Sequence, residues 1–393
     1  MHLRVQQLGE MGGEMMNRMK IAIAISIALS GTAHAGGFER IEQSMAVLFE
    51  QGRHFQIGGY FAFPRVSGVG SSISPTPGQN SGNLAENFWN INAAFKDDIN
   101  DRFSYAIIFD NPYGANIAYP SSGFFASNSN ASITTHALSG VLQYNMPETL
   151  SVFGGSFSIY GGPKVQYSDA HASIPFTFGG YSATVDPAFG FGFLAGVAFE
   201  KPDIGMRIAL TYGSAINTNW STTESFGNLA GGAPVATTTA FDTPESLNLE
   251  FQTGLNPKTL LFGSVRWVPW SDFDISPPLY TSITGGPLAF FADDRITYRL
   301  GLGRKITEDF SIFGEVGYEH HTGSPTTNLT PVDGFLSYSL GATKEFGRTK
   351  VTLAGRYVDV GDADSQLGPF VPAGEFKDNS LFAIGMRIGF DLN

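Results

Sequence analysis

The side chains in this sequence that could do chemistry are few and poorly placed for it. Glu319-His320-His321 offers a carboxylate and two imidazoles, the groups that hold a divalent metal. The flanking residues, however, alternate apolar and polar with period two. In a strand of that kind Glu319 and His321 share a face, His320 opposes them, and no further His follows nearby, so no metal site is expected. The run GFGFLAG, Gly190 to Gly196, imitates a dinucleotide-binding turn, but it sits inside the same alternation with no helix after it, and no cofactor is assigned. His136, His171, Asp186, Asp293 and Asp294 are acid-base candidates without a recognisable spacing. The absence of Cys removes thiolate nucleophiles, thiolate metal sites and disulfides together. No catalytic residue is assigned.

The charges obey a clearer rule. From Arg295 to Gly303 one parity holds Arg295, Thr297, Arg299, Gly301 and Gly303, and the other holds Ile296, Tyr298, Leu300 and Leu302. After the turn Ile306 to Asp309, Phe313, Glu315, Gly317 and Glu319 oppose Ile312, Val316 and Tyr318. Arg207, Glu250, Arg266, Arg295, Arg299, Glu315, Glu319, Arg356 and Arg387 all take the parity opposite to their apolar neighbours. In a soluble sandwich the apolar face is core; in a membrane barrel it meets lipid and the charges line the lumen.

The elements carrying these residues favour the barrel. Alternating runs lie near 53–66, 84–96, 102–119, 132–145, 150–168, 185–200, 204–219, 244–255, 259–275, 294–306, 310–321, 334–346, 349–360 and 379–391, about fourteen strands. Short turns such as Asn256-Pro257-Lys258 and Gly347-Arg348 alternate with long connections, among them 169–184, 220–243, 276–293, 322–333 and 361–378. That asymmetry belongs to barrels with short periplasmic turns and long external loops, and a sandwich has no need of it. Across 393 residues no linker divides the texture; Gly is 48, Phe 34 and charged residues 15%, which suits a sheet closed on itself. A net charge of −12 argues against a nucleic-acid partner. Trp89, Trp220, Trp267 and Trp270 fall near the predicted outer ends, where an interfacial belt would place them.

Arg18 and Lys20 precede IAIAISIALS and then GTAHA, a basic region, a short apolar run and small residues at Ala33 and Ala35. This reads as a secretory signal peptide cut after Ala35, so that residues 1–35 are leader, 36–52 an intervening segment and 53–393 the barrel.

At this point GGFERIEQSMAVLFEQG, FDNPYGANIAYP, TLLFGSVRWVPWSDFDISPP, DDRITYRLGLGRKI and VTLAGRYVDVGDADS with SLFAIGMRIGF, in this order and spacing over the whole mature chain, resemble the FadL family of outer-membrane long-chain fatty-acid and hydrocarbon transporters. The resemblance implies a transmembrane antiparallel barrel of fourteen strands plugged by an N-terminal hatch. It also implies an external apolar groove, an inward kink in the third strand, and lateral release of cargo through the gap the kink leaves. The cargo implied is a fatty acid or hydrocarbon, the surroundings outer-membrane lipid, the insertion route the barrel-assembly machinery, and the active form a monomer in the bacterial outer membrane.

Particular residues answer to these features. Phe38, Ile41, Met45, Leu48 and Phe49 give residues 36–52 an amphipathic helical turn suited to a hatch, with Gln43-Ser44-Met45-Ala46 where better-known members carry Asn-Pro-Ala. Asp110-Asn111-Pro112-Tyr113-Gly114 interrupts the third strand, since Pro lacks a ladder donor and Gly tolerates unusual dihedrals. Phe124, Phe125, Phe176, Phe178, Phe226, Phe290 and Phe291 crowd the outer loops, joined by Ile174, Tyr181, Leu229 and Leu288, and are expected to form the ligand groove. Arg295 or Arg299 could meet a carboxylate, or pair with Glu315 and Glu319. Two other functions compete: a general aqueous porin, which needs no plug, and an outer-membrane barrel enzyme, which needs a catalytic constellation the sequence does not offer.

Overall fold

In the computed structural model, which describes residues 37–147, 153–177, 179–227, 232–367 and 371–392, the alternating runs form fourteen antiparallel strands closed into a barrel. The expected leader over residues 1–35, Phe178 and Leu229 lie outside the described residues. The strands are β1 (His54–Arg65), β2 (Phe88–Asp98), β3 (Phe103–Asp110, resumed as Gly114–Ala118), β4 (Asn130–Asn145), β5 (Ser156–Ile174), β6 (Ala188–Lys201) and β7 (Met206–Gly213). They continue with β8 (Ser246–Asn256), β9 (Thr259–Val268), β10 (Arg295–Lys305), β11 (Phe310–Glu319), β12 (Phe335–Phe346), β13 (Thr349–Val360) and β14 (Asn379–Asp391). The seam joins first to last, from His54↔Asp391 to Arg65↔Ser380, so the barrel leaves no terminal strand with a free edge.

Burial settles which face looks in. Arg295 and Arg299 are each 6% exposed, whereas Leu300 and Leu302 on the other parity of β10 are 54% and 51% exposed. Around the circumference Phe61, Ile107, Leu138, Phe191, Ile312 and Ile384 face out, and Arg207, Arg266, Arg356 and Arg387 are buried inside. An outward apolar band around an inward charged one is stable only with hydrocarbon outside.

Three expectations need correction. The stretches 169–184 and 220–243 are largely sheet rather than loop: β7 is prolonged by Ile216–Phe226, which pairs with Val235–Thr243 ahead of β8. Tyr181–Val185, ahead of β6, pairs with β5 on one side and with Ile216–Phe226 on the other. Their Thr and Ser content hid them, because the period-two hydrophobic contrast is weak there while β-branched Thr still suits a strand. Second, of the four tryptophans only Trp89 is strongly exposed; Trp220 and Trp270 are among the most buried side chains, packed inside the outer end. Third, residues 37–53 hold one helical turn, as expected, but it is not amphipathic. They run in irregular conformation to a four-residue 3₁₀ turn, Ala46–Phe49, and nearly all of Phe38 to Phe49 is buried, polar residues included, because wall side chains surround the segment.

Candidate functional site

The plug is held by charge pairs. Arg266 Nε and Nη2 both donate to Glu39 Oε1, at 2.9 and 2.6 Å. Arg299 Nε donates to Glu42 Oε1 at 2.8 Å, its Nη1 lies 3.4 Å from Glu315 Oε1, and Arg356 Nη2 reaches that same oxygen at 2.8 Å. Glu250 accepts hydrogen bonds from Ser44 Oγ and, at 3.1 Å, from the Met45 N–H, and Arg207 stacks over the Phe49 ring at 4.6 Å. Charged wall positions that the parity rule had gathered on one face are therefore the sockets for the hatch. Its apolar residues fill the rest: Phe38 meets Trp270, Phe273 and Phe291 edge-on, and Met45, Leu48 and Phe49 pack with Val141, Tyr160 and Leu194. Phe38 and Ile41 are likewise buried.

Above the plug lies an apolar pocket of about 550 Å³, the open space at its mouth included. Phe38 contributes from the hatch, and Ala115, Ala131, Ala170, Ala172 and Ala183 contribute from successive strands, so short side chains make the room. Ile275, Leu288, Ala289 and Leu329 contribute from the outer loops. Its few polar groups are satisfied among themselves: Ser132 Oγ meets His171 Nδ1 at 2.7 Å, and Thr222 donates to Thr239 at 2.8 Å. Among the described residues no Lys or Arg lines it. A second pocket, with Ile117 lining both, touches Val66, Leu84, Phe88, Asn116 and Leu381.

The six described phenylalanines expected to line a groove line neither pocket. Phe124 stacks on Tyr119 and touches Phe125 at 4.4 Å between centroids; Phe125 meets Phe176, and Phe226 meets Tyr181 at 4.9 Å. Phe290 pairs with Asp274 in a two-residue ladder and Phe291 packs on Phe38. These rings build the outer wall around the pockets, and the cavity is left to alanine.

The interruption of β3 leaves a gap in the β2–β3 ladder, a window in the pairing that Asn90 and Asn111 span. The β2–β3 ladder stops at Ala93↔Phe109, while the β1–β2 ladder continues to Ala62↔Phe88. Pairing resumes above, where the Glu86 N–H donates to Asn116 O at 3.2 Å and Ala85 bridges Ile117. Between these limits Asn111, Pro112 and Tyr113 stand opposite only Thr135 and His136 of β4, one residue too many, and the chain turns inward. Asp110 is buried there. The inturned backbone is satisfied by the hatch: Arg40 N–H donates to Pro112 O at 2.8 Å and Gly114 N–H to Phe38 O at 2.8 Å. Asn90 Nδ2 donates to Asn111 O at 3.1 Å across the window, and Asn111 also meets His136.

Other sequence candidates do not converge. Arg295 pairs with Asp333 at 2.6 Å, and Glu319 accepts from Thr297 at 2.8 Å. His321 Nδ1 sits 3.0 Å from Asp333 while His320 approaches Tyr318, so the Glu-His-His run is split among three partners. Asp294 is bonded by Trp267 and Ser271. Asp293 is pushed up by desolvation, but hydrogen bonds from Ser324 and Thr322 and the nearby Arg295 outweigh this and hold it below the usual carboxylate range, the opposite of what a general acid needs. Near the periplasmic rim Glu50, His54 and Asp391 bring three potential ligand atoms together, but Lys350 Nζ lies 3.7 Å from both carboxylates and fills the place of a cation. Two anchors escaped the sequence. Glu224, fully buried, accepts from Tyr181, Thr237 and the N–H groups of Leu279 and Tyr280, tying the short helix Pro278–Thr284 over the pocket. Asp333, also fully buried, gathers Arg295, Thr322 and the Gly323 N–H. The only sequence signal for either was an acid within a polar stretch.

Residues 28–299 match the family described as outer membrane protein transport protein (OMPP1/FadL/TodX). Among solved structures, a Pseudomonas aeruginosa FadL homologue superposes with a TM-score of 0.73 at 18% identity, covering 93% of this chain and 98% of that one. The Pseudomonas putida toluene transporter TodX gives 0.61 at 12% identity, with 93% and 99% covered. The Ralstonia pickettii toluene transporter TbuX gives 0.58 at 13%, with 92% and 99% covered. At these identities the likeness to solved structures is one of fold alone. No curated protein matches the chain.

Proposed function

Because this chain belongs to the OMPP1/FadL/TodX family of outer membrane transport proteins, a family of hydrophobic-compound channels, we propose that it acts as a channel and not as an enzyme, taking up small uncharged hydrophobic molecules passively. They enter the alanine-lined pocket from outside, pass Ile117 into the second pocket, and leave sideways through the β3 window into the bilayer. The observation that supports this reading is that Ile117 lines both apolar pockets and that Phe88 and Asn116, at the upper edge of the window, line the second. A plugged lumen argues against a general aqueous porin, because Glu39, Glu42, Ser44 and Phe49 occupy the ion path. The chain acts as a monomer, with its leader removed and its wall inserted into outer-membrane lipid by the barrel-assembly machinery.

A long-chain fatty acid is the second cargo to weigh. Its carboxylate would need a cation, and the two arginines best placed by sequence are committed, Arg295 to Asp333 and Arg299 to Glu42 and Glu315. Leaving an ionised carboxylate unpaired in an apolar pocket costs several kcal/mol, on the order of the penalty for burying any unpaired charge. In the outer pocket, which no Lys or Arg lines among the described residues, uncharged cargo is favoured. The test is initial uptake, by a strain lacking the chain and re-supplied with it, of labelled toluene, a linear alkane and a long-chain fatty acid. Hydrocarbon uptake should be restored, and should fall about tenfold or more with Ala172→Phe, which fills the pocket beside Ala183. Restoration of fatty-acid uptake alone, or unaltered uptake by Ala172→Phe, would refute the reading.

A further inference from the structure

The side chain of Arg40, in the hatch, touches both sides of the window. On the β2 side its guanidinium carbon lies 3.3 Å from the centroid of the Phe88 ring. On the β3 side Nε donates to Gly114 O at 2.9 Å and Nη2 to Asn116 Oδ1 at 2.9 Å. The backbone is fixed as well, by the N–H bond to Pro112 O and by the Tyr60 hydroxyl, which donates to Arg40 O at 2.6 Å. Phe88, Asn116 and Ile117 also line the second pocket, so the guanidinium stands beside the last part of the apolar path. Its Nη1 is buried with no hydrogen-bond partner.

A guanidinium suits this position for physical reasons. It is flat, weakly hydrated and able to lie face-on against an aromatic ring while its edge makes two directed hydrogen bonds. An ammonium group cannot do both. The gap in the β2–β3 ladder is thus bridged from inside by a side chain that belongs to neither strand. We propose that Arg40 is a crossbar that sets the girth of the cargo the window passes. It rests on the sideways-exit reading above. Slim cargo slips past Phe88 with the crossbar in place; broad cargo must first break the Phe88 and Asn116 contacts, and passes slowly.

The experiment compares initial uptake of a linear alkane with that of a fused-ring aromatic hydrocarbon. Arg40→Ala should raise the ratio of broad to slim uptake about tenfold, and Arg40→Lys should stay close to Arg40→Ala, since one ammonium cannot replace the fork. Phe88→Leu removes the aromatic face from the wall while leaving every plug residue and the hydrogen bonds of Arg40 in place, and should shift the ratio in the same direction, with planar-bilayer conductance still at the plugged level. An unchanged ratio in Phe88→Leu would overturn the proposal, because any effect of Arg40→Ala would then come from a loosened hatch. Since the chain has no Cys, Asn90→Cys with Asn111→Cys can be bridged by a short bis-maleimide to shut the window. If the bridge leaves all uptake intact, sideways exit itself is wrong. If the bridge blocks uptake while Arg40→Ala and Phe88→Leu leave the ratio at its wild-type value, sideways exit stands and the crossbar falls.

Discussion

Truncating Arg266 to Ala should unseat the outer part of the plug. The pair it forms with Glu39 is buried on both sides, and two N–H donors converge on one carboxylate oxygen at 2.9 and 2.6 Å. Removing one partner of such a pair costs about 3–5 kcal/mol, because the other charge is left in a poorly solvated place. At about 1.4 kcal/mol per tenfold, the ratio of displaced to seated hatch should rise by roughly 10² to 10⁴. The Glu42–Arg299 pair still holds the middle of the segment, so brief openings are expected rather than a permanently open pore. Single-channel recording in planar bilayers reads this directly: near silence in the wild type, frequent transient conductance in Arg266→Ala. The decisive control is Arg266→Met with Glu39→Leu, which replaces the pair by apolar groups of similar bulk; such exchanges are often neutral, and silence should return. A double variant as leaky as Arg266→Ala, or an Arg266→Ala channel as quiet as the wild type, would refute the reasoning that this pair seats the hatch.

Two further outcomes follow from local geometry. Glu224→Ala strips four donors of their acceptor, at about 1–3 kcal/mol for each buried group left unsatisfied, and should free the helix Pro278–Thr284; limited proteolysis of intact cells should then cut near it, and an uncut loop would show that other contacts hold it. Pro112→Val with Gly114→Thr should favour a straighter β3 and lower uptake, but a Cβ at Gly114 would stand 3.0 Å from Arg40 Nε and 3.1 Å from Ile133 O, so conductance should rise in the same protein; unaltered uptake would sever the link between the inturn and transport.

How much of this was legible in the chain depends on whether a residue's role left a periodic trace. β10 could be read because lipid and lumen impose opposite chemistry on alternate residues, and all fourteen barrel strands were located on that contrast. In the prolonged hairpin Ile216–Phe226 and Val235–Thr243 the sequence beyond residue 219 reads as loop, because its Thr-rich composition gives no such contrast. The hatch segment was visible as something apart, but not its conformation: enclosed on all sides, it obeys neither period, and Glu39 and Glu42 are buried against partners more than two hundred positions away. The pocket was the least legible part. Phenylalanines in the loops suggested a binding surface, whereas the cavity comes from alanines on successive strands, and an alanine signals a hollow only once its neighbours are known.

The seam also has a consequence for the order of assembly. β1 is the first strand made and β14 the last, and only their pairing completes the wall. The plug precedes β1 in the chain, and its sockets, Glu250, Arg266 and Arg299, lie on β8, β9 and β10, away from the β1–β14 seam. The stopper can therefore be seated while the cylinder is still an open sheet. The last ladder then closes around a filled interior, so the cell envelope need never hold the finished ring as an unstoppered hole.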